Sequence, residues 1–236
     1  MKMGKALGVL IGILLLATGF AVAAGGDAQT ILQKVADTYA NLKSYHFEGV
    51  TVAETKASTT DSKSATEFSI AMSPPNKLRV EFRYQNSGNW VRVSDGKTTL
   101  RYRSLTKELK KDPASPDDLD ILRGTPISSY DHITDGMKKA TLLPEESLEV
   151  NGKSVPCYVV EVEYTPGLLL AGMEQMPTRY WIDKARNIVL KQVTGTRSAT
   201  QDPSRSTVNT RTTTFTTASV NEDVPDTMFA FNPKQK

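Results

Sequence analysis

The sequence predicts an α+β fold, with helices lying on one face of a large antiparallel sheet. Three observations carry this. Residues 179–192, RYWIDKARNIVLKQ, hold two β-rich runs of period 2 around a short polar break, which reads as an antiparallel hairpin. Alternating runs of the same kind flank it on both sides. Residues 27–43 place Ala28, Ile31, Leu32, Val35, Tyr39 and Leu42 at helical spacing, a single apolar stripe that must lie on something.

Taken in order, Asp27 can cap that first helix. Residues 44–53, SYHFEGVTVA, alternate as a strand. Residues 54–66 are rich in Thr, Ser and Lys and fit either a long polar hairpin tip or a loop. Strand character resumes at residues 67–72, and Pro74-Pro75-Asn76 stops it. Residues 77–84 form a clean strand, with Leu78, Val80, Phe82 and Tyr84 on one side and Lys77, Arg79, Glu81 and Arg83 on the other. After Asn86-Ser87-Gly88-Asn89 come a strand at 90–94, a two-residue hairpin signal at Asp95-Gly96, and a strand at 98–104. These runs make a meander with one wet and one covered side.

The pattern then changes. Residues 107–112 are charged. Ser115-Pro116-Asp117-Asp118 is a helix start: a cap, a proline in the first turn, and acids at the positive end of the dipole. Residues 128–143 form a second helical candidate, with Tyr130, Ile133, Met137 and Leu142 facing inward, weakened by Gly136 and ended by Pro144. Strands return at Ser147, turn at Asn151-Gly152, and continue through residues 155–164. Residues 165–177 hold Leu168-Leu169-Leu170 and Met173 between Gly and Pro residues. Within the hairpin at 179–192, Asn187 closes a type I-based loop, since Asn tolerates positive φ. The Thr-rich run 207–220 suits a solvated or edge strand. Met228-Phe229-Ala230-Phe231 closes the chain as an apolar anchor.

The first residues, MKMGKALGVLIGILLLATGFAVAAGG, read as a secretory signal peptide: Lys2 and Lys5, an apolar run, then small residues that place cleavage near Ala24. A retained membrane anchor is the competing reading. Without Lys2 and Lys5, the 29 basic residues fall to 27, against 26 acidic ones, so the exported chain is close to neutral. That balance argues against a nucleic-acid partner. Of the 236 residues, 212 remain after residue 24, enough for one domain over residues 25–236 with its own core. The one cysteine, Cys157, rules out an internal disulfide.

The chemistry-bearing residues are sparse. His46 and His132 are far apart and sit in different kinds of element, so no metal site is expected. Asp117, Asp118 and Asp120 lack the Gly and distal Glu of a calcium loop, and capping explains them better. Cys157 has β-sequence on both sides and reads as a small buried hydrophobe. There is no phosphate-binding loop, no Gly-x-Ser-x-Gly and no paired-acid motif. No catalytic residue and no cofactor is expected, and nothing argues for an enzyme.

Together, ILQKVADTYANLKSYHFEG, PPNKLRVEF, VSDGKTTLRYRSLTKEL, YWIDKARNIVLKQV and FAFNP resemble the outer-membrane lipoprotein carrier superfamily, the LolA-like and LolB-like proteins, and most closely its exported branch of uncharacterised members. The resemblance spans nearly the whole exported chain. It implies an incomplete, strongly curved antiparallel barrel whose open side is covered by the N-terminal and inserted helices, with acyl chains in the cavity between. No receptor-docking residue of the family matches a position here.

The resulting expectation is a monomeric periplasmic carrier or chaperone, in outer-membrane lipoprotein sorting or a related role, that binds lipid or lipoprotein acyl chains. An inner- or outer-membrane receptor protein is the further expected partner. The expected ligand-binding residues are Leu78, Val80, Phe82, Tyr180 and Ile182 on the strands and Leu168, Leu169, Leu170 and Met173 at the cavity mouth. The loop setting of the three leucines motivates the mouth, since exposed apolar patches mark binding surfaces. A short helix closing the barrel as ordinary core is the alternative. A regulatory binding module that holds a membrane protein partner, as RseB-like proteins do, is the competing function.

Overall fold

The turn chemistry of the sequence sets the connections. Asn151 (φ 54°) and Gly152 (φ 69°) both adopt the left-handed conformation that a tight two-residue hairpin requires. Asn187 does the same at φ 53°, and its N–H donates to the Asp183 carbonyl at 2.9 Å. The Asp183 carboxylate accepts from the Ala185 and Arg186 N–H groups at 2.7 and 3.2 Å, closing the loop from within.

The computed structural model describes residues 25–58, 60–167, 172–198 and 206–231. Helix α1 (Gly25–Ala40) is followed by β1 (Tyr45–Ala57), β2 (Asp61–Ser73), β3 (Lys77–Tyr84), β4 (Gly88–Asp95), β5 (Thr98–Arg103) and β6 (Glu108–Pro113). Two 3-10 helices, Pro116–Gly124 and Tyr130–His132, form an insertion. Then come β7 (Met137–Val150), β8 (Lys153–Tyr164), β9 (Met173–Gln175), β10 (Thr178–Asp183), β11 (Val189–Ser198), β12 (Thr207–Val220) and a last 3-10 helix, Asp226–Phe229.

The twelve strands make one sheet in the order β6-β5-β4-β3-β2-β1-β12-β11-β10-β8-β7, with β9 also paired to β11. Every pairing is antiparallel. The sheet is curved and does not close, and β6 and β7 are its two edges. Bulges between Glu48 and Gly49, Trp181 and Ile182, and Leu143 and Glu146 help bend it.

The inner face carries the main core. Phe47, Phe68, Ile70, Leu78, Val80, Ile182, Leu190 and Phe215 are buried there under Leu32 and Val35 of α1 and Tyr130 and Ile133 of the insertion. On the outer face a smaller core forms where Phe229 packs with Ala71, Val91 and Val93, and Met228 and Phe231 pack beside it. The C-terminal anchor therefore covers the outer side of β2–β4. Arg79 holds it in place by donating to the Met228 and Ala230 carbonyls at 3.2 and 3.3 Å.

Two expectations are corrected. Residues 128–143 are not a helix: the 3-10 turn ends at His132, and residues from Met137 onward are strand β7. The charged run 107–112, for which the sequence offers no element, is largely strand β6. The Thr-rich β12 lies in the middle of the sheet, between β1 and β11, and not at an edge. The start at Ser115 is as read. Its side chain accepts from the Asp117 N–H, and Asp118 completes a capping box. Asp118 is also buried, and Thr99 of β5 donates to it at 2.5 Å, which ties the insertion to the sheet.

Candidate ligand-binding face

The inner face is built from rows of residues that run across the strands. One row passes from Phe215 on β12 through Gly49, Phe68, Phe82, Trp90 and Arg103 to Glu108 on β6. The next runs through Phe47, Ile70, Val80, Arg92, Arg101 and Lys110. Both are apolar in the middle of the sheet; toward β6 the second turns cationic, and the first ends in Arg103 opposite Glu108. Residues on one face of neighbouring strands lie about 5 Å apart, so each row is a continuous track.

The middle of the face is filled. Tyr39, Phe47, Phe68, Tyr130 and Phe215 form an aromatic cluster, with Tyr39 to Tyr130 at 5.1 Å and Phe215 to both Phe47 and Phe68 at 5.4 Å between ring centres. Tyr130 donates to Gln192 Oε1 at 3.1 Å, and Gln192 donates to the Tyr180 hydroxyl at 3.5 Å. Tyr164 gives its one proton to the Ile133 carbonyl at 2.7 Å, so its 3.0 Å contact with Tyr180 is a bond that Tyr180 donates. Burial raises all three tyrosine hydroxyls above their ordinary pKa, and they remain neutral donors.

Two parts of the inner face lie outside this filled centre. Toward the free ends of β1, β11 and β12 it becomes hydroxyl-rich. Thr51 and Thr213 bond at 3.0 Å, and Thr55 donates to Asn209 at 2.8 Å. A cleft of about 410 Å³ opens there, with Ala53, Thr55, Thr194 and Arg211 in its wall along with Gly167 and Gln175. Toward β6, the Phe82 ring lies tilted against Trp90, 6.0 Å between centres, and against Tyr84, 6.3 Å away. Phe82 and Trp90 are half-buried and Tyr84 is 44% exposed. Beyond Trp90 lies a cleft of about 260 Å³ walled by Arg92, Arg101, Arg103, Lys110 and Glu108. On the outer face a third cleft, of about 400 Å³ beside the Glu48 bulge, has Glu48, Glu67, Glu81 and Arg83 in its wall, with Arg83 paired to Glu81 and Glu67. Its charge is unsuited to an apolar chain.

The expected ligand residues divide as follows. Leu78, Val80, Tyr180 and Ile182 all face inward and are buried in the filled centre. Phe82 lies on the same face, half-buried at its margin. Met173 is half-buried on β9, where it pairs with Ser198. Leu168, Leu169 and Leu170 lie outside the described residues. The cationic residues of β4–β6 were not anticipated from the sequence. The signal was there in the alternating Trp90-x-Arg92, Arg101-x-Arg103 and Lys110, but only the strand register puts them side by side.

The remaining chemistry-bearing groups are scattered. His46 Nε2 is 3.2 Å from Glu48. His132 is exposed between Asp131 and Asp135. Cys157 is fully buried, and burial, with Asp183 nearby, pushes its thiol up to about 11. Among the described residues no group of three or more His, Cys, Asp or Glu is placed to hold a metal, and no helix is long and apolar enough to cross a membrane.

No family model and no curated protein matches the sequence. Solved structures do resemble it in chain course. MucB is 14% identical, with a TM-score of 0.46, over 88% of this chain and 64% of that one. The chain thus spans less than two thirds of MucB. Mycobacterium tuberculosis lipoprotein LppX is 13% identical, with a TM-score of 0.41, over 86% of this chain and 99% of that one. A LolA superfamily protein from Nitrosomonas europaea is 13% identical, with a TM-score of 0.29, over 86% and 97%. The Nitrosomonas europaea protein carries the name of the superfamily that the sequence segments resemble.

Proposed function

We propose that the protein is a periplasmic carrier or chaperone that holds the acyl chain of a lipid or lipoprotein against the inner face of its sheet. Residues 1–24 supply the export signal. The observation that carries this reading is the row Phe215-Phe68-Phe82-Trp90, which starts in the filled core and runs out to half-buried aromatic rings. A soluble protein that leaves aromatic rings in line with its core, beside a cleft, offers an apolar chain a place to lie. The chain lies on Phe82 and Trp90, beside the buried Leu78 and Val80. Ligand entry at Leu168, Leu169, Leu170 and Met173, expected from the sequence, is part of this proposal; Gly167 and Gln175, their neighbours in sequence, line the larger cleft.

Titration with a fluorescent fatty-acid probe tests this. Phe82→Ser and Trp90→Ser are expected to weaken uptake about tenfold each, the loss of one well-packed aromatic contact; both rings also pack against the core, so uptake is compared at a temperature where each variant is folded. The triple change of Leu168, Leu169 and Leu170 to Ser is expected to weaken uptake as well. A protein that takes up no probe, or takes it up equally well in the Phe82 and Trp90 variants, contradicts the reading.

A further inference from the structure

The rows of the inner face change character at β4, and the change is abrupt. Val80 on β3 is apolar and fully buried. Its partner on β4 is Arg92, which faces Arg101 on β5, which faces Lys110 on β6. Three cations stand directly opposite one another in one row. In the neighbouring row Arg103 stands opposite Trp90. Like charges placed opposite across strands destabilise a sheet, so this arrangement lowers stability unless an anion lies among them.

The carboxylates of the chain do not supply that anion fully. Lys110 pairs with Glu108 at 3.0 Å. Arg101 reaches Asp112 at 3.4 Å and Asp118 at 3.9 Å. Asp118 is already committed to the Thr99 hydroxyl and the Ser115 N–H. Among the described residues, the side chains of Arg92 and Arg103 make no hydrogen bond or close ion pair; Arg103 stands opposite Glu108, whose carboxylate it helps to stabilise from a distance while that carboxylate bonds Lys110. The Nε atoms of Arg92 and Arg101 are shielded from solvent without a partner. Shielding, and then the neighbouring Arg101, hold the Arg92 guanidinium below its ordinary pKa despite Asp118 and Asp112 nearby.

Protection of an exposed sheet edge explains cations on the outermost strand. It explains Lys110 and Lys111 on β6. It does not explain Arg92, two strands further in, facing the covered side beside Trp90.

The geometry points to Arg92, Arg101, Arg103 and Lys110 as a binding site for an anionic oxygen group, phosphate or carboxylate, at the head of an amphiphile whose apolar chain lies along Trp90 and Phe82. Guanidinium groups suit such oxygens because each offers paired N–H donors in a plane. The cleft of about 260 Å³ that these side chains wall has room for a head group. The inference rests on the acyl-chain reading above and adds to it the class of ligand: an anionic lipid and not a neutral one.

The test is isothermal titration of the full chain with dodecyl phosphate, with dodecyl maltoside as a neutral ligand of the same tail, and with inorganic phosphate. The proposal expects dodecyl phosphate to bind about tenfold or more tighter than the maltoside. Arg103→Gln and Arg92→Gln should each remove about tenfold of that preference and leave maltoside binding as it was. Lys111→Gln, which removes the same charge from the opposite face of β6, should change nothing. Arg103 is exposed and tolerates substitution, so it carries the test if Arg92→Gln does not fold. Equal binding of both dodecyl ligands, or an equal loss in Lys111→Gln, overturns the anion site and leaves the acyl-chain reading standing. Inorganic phosphate binding as tightly as dodecyl phosphate overturns the amphiphile and leaves a plain anion site. Failure of both dodecyl ligands to bind removes the acyl-chain reading and this inference together.

Discussion

A β-carbon on Gly49 would lie 2.1 Å from the Thr214 carbonyl oxygen, and it would also meet Phe68 Cζ at 2.7 Å. Gly49 sits at the bulge where β1 shifts register against β12, so the two backbones approach there more closely than any side chain permits. The nearest clashing atom is backbone, and backbone cannot swing aside. Gly49→Ala is therefore expected to cost about 3 kcal/mol or more. Urea denaturation monitored by circular dichroism checks this, and a midpoint equal to that of the parent protein would refute the close approach.

The hairpin β10–β11 is buried on both faces. Ile182 is fully buried on the inner side. Trp181, 4% exposed on the other, donates its Nε1–H to Glu146 at 2.8 Å and has Lys191 over its ring at 4.2 Å. Ile182→Ala is expected to cost about 2–5 kcal/mol through the cavity it leaves. Trp181→Ala should cost a similar amount, since the ring packs in the core. Thermal melts of the two variants decide it; an unchanged Ile182→Ala would place that residue outside the core.

Cys157 gives stability a dependence on alkaline pH. Its folded pKa, about 11, lies above its ordinary value of 9.0. The folded state thus keeps a proton that the unfolded chain releases between those two values. Its contribution is fully present below pH 9 and is lost as pH rises from there through about 11, at a scale of about 2–3 kcal/mol. The buried tyrosines, raised in the same direction, add to the alkaline loss. Denaturation midpoints of the parent and Cys157→Ala measured across this range should converge as pH rises. At neutral pH the thiol should react with an alkylating reagent only when the protein is unfolded.

Much of the fold was legible because it is carried by local chemistry. Asn151-Gly152 and Asn187 announce their turns through residues that accept positive φ, and Ser115 with Asp118 announces a capped start. The sequence misleads where two periodicities coincide. Tyr130, Ile133 and Met137 fall at helical spacing, yet Gly136 at φ 68° breaks the chain direction before Met137. A register shift just after Met137 then hides the alternation of the strand that follows. For β12, a Thr-rich composition reports a strand that is polar on both sides but says nothing about its place in the sheet. The candidate site divides in the same way. The inward row Leu78, Val80 and Phe82 is legible from alternation alone. The cationic wall is not, because Arg92, Arg101 and Lys110 become neighbours only through pairings of strands whose order no single residue fixes.

An acyl chain held on the inner face is tested by mass spectrometry of lipid extracted from the protein purified natively from its own cells, with no detergent used at any step. Co-purified lipid is expected near one molecule per chain, enriched in species with a phosphate or carboxylate head, and depleted in the Trp90→Ser variant. Protein that carries no lipid, or carries the same trace in the parent and in Trp90→Ser, would contradict it.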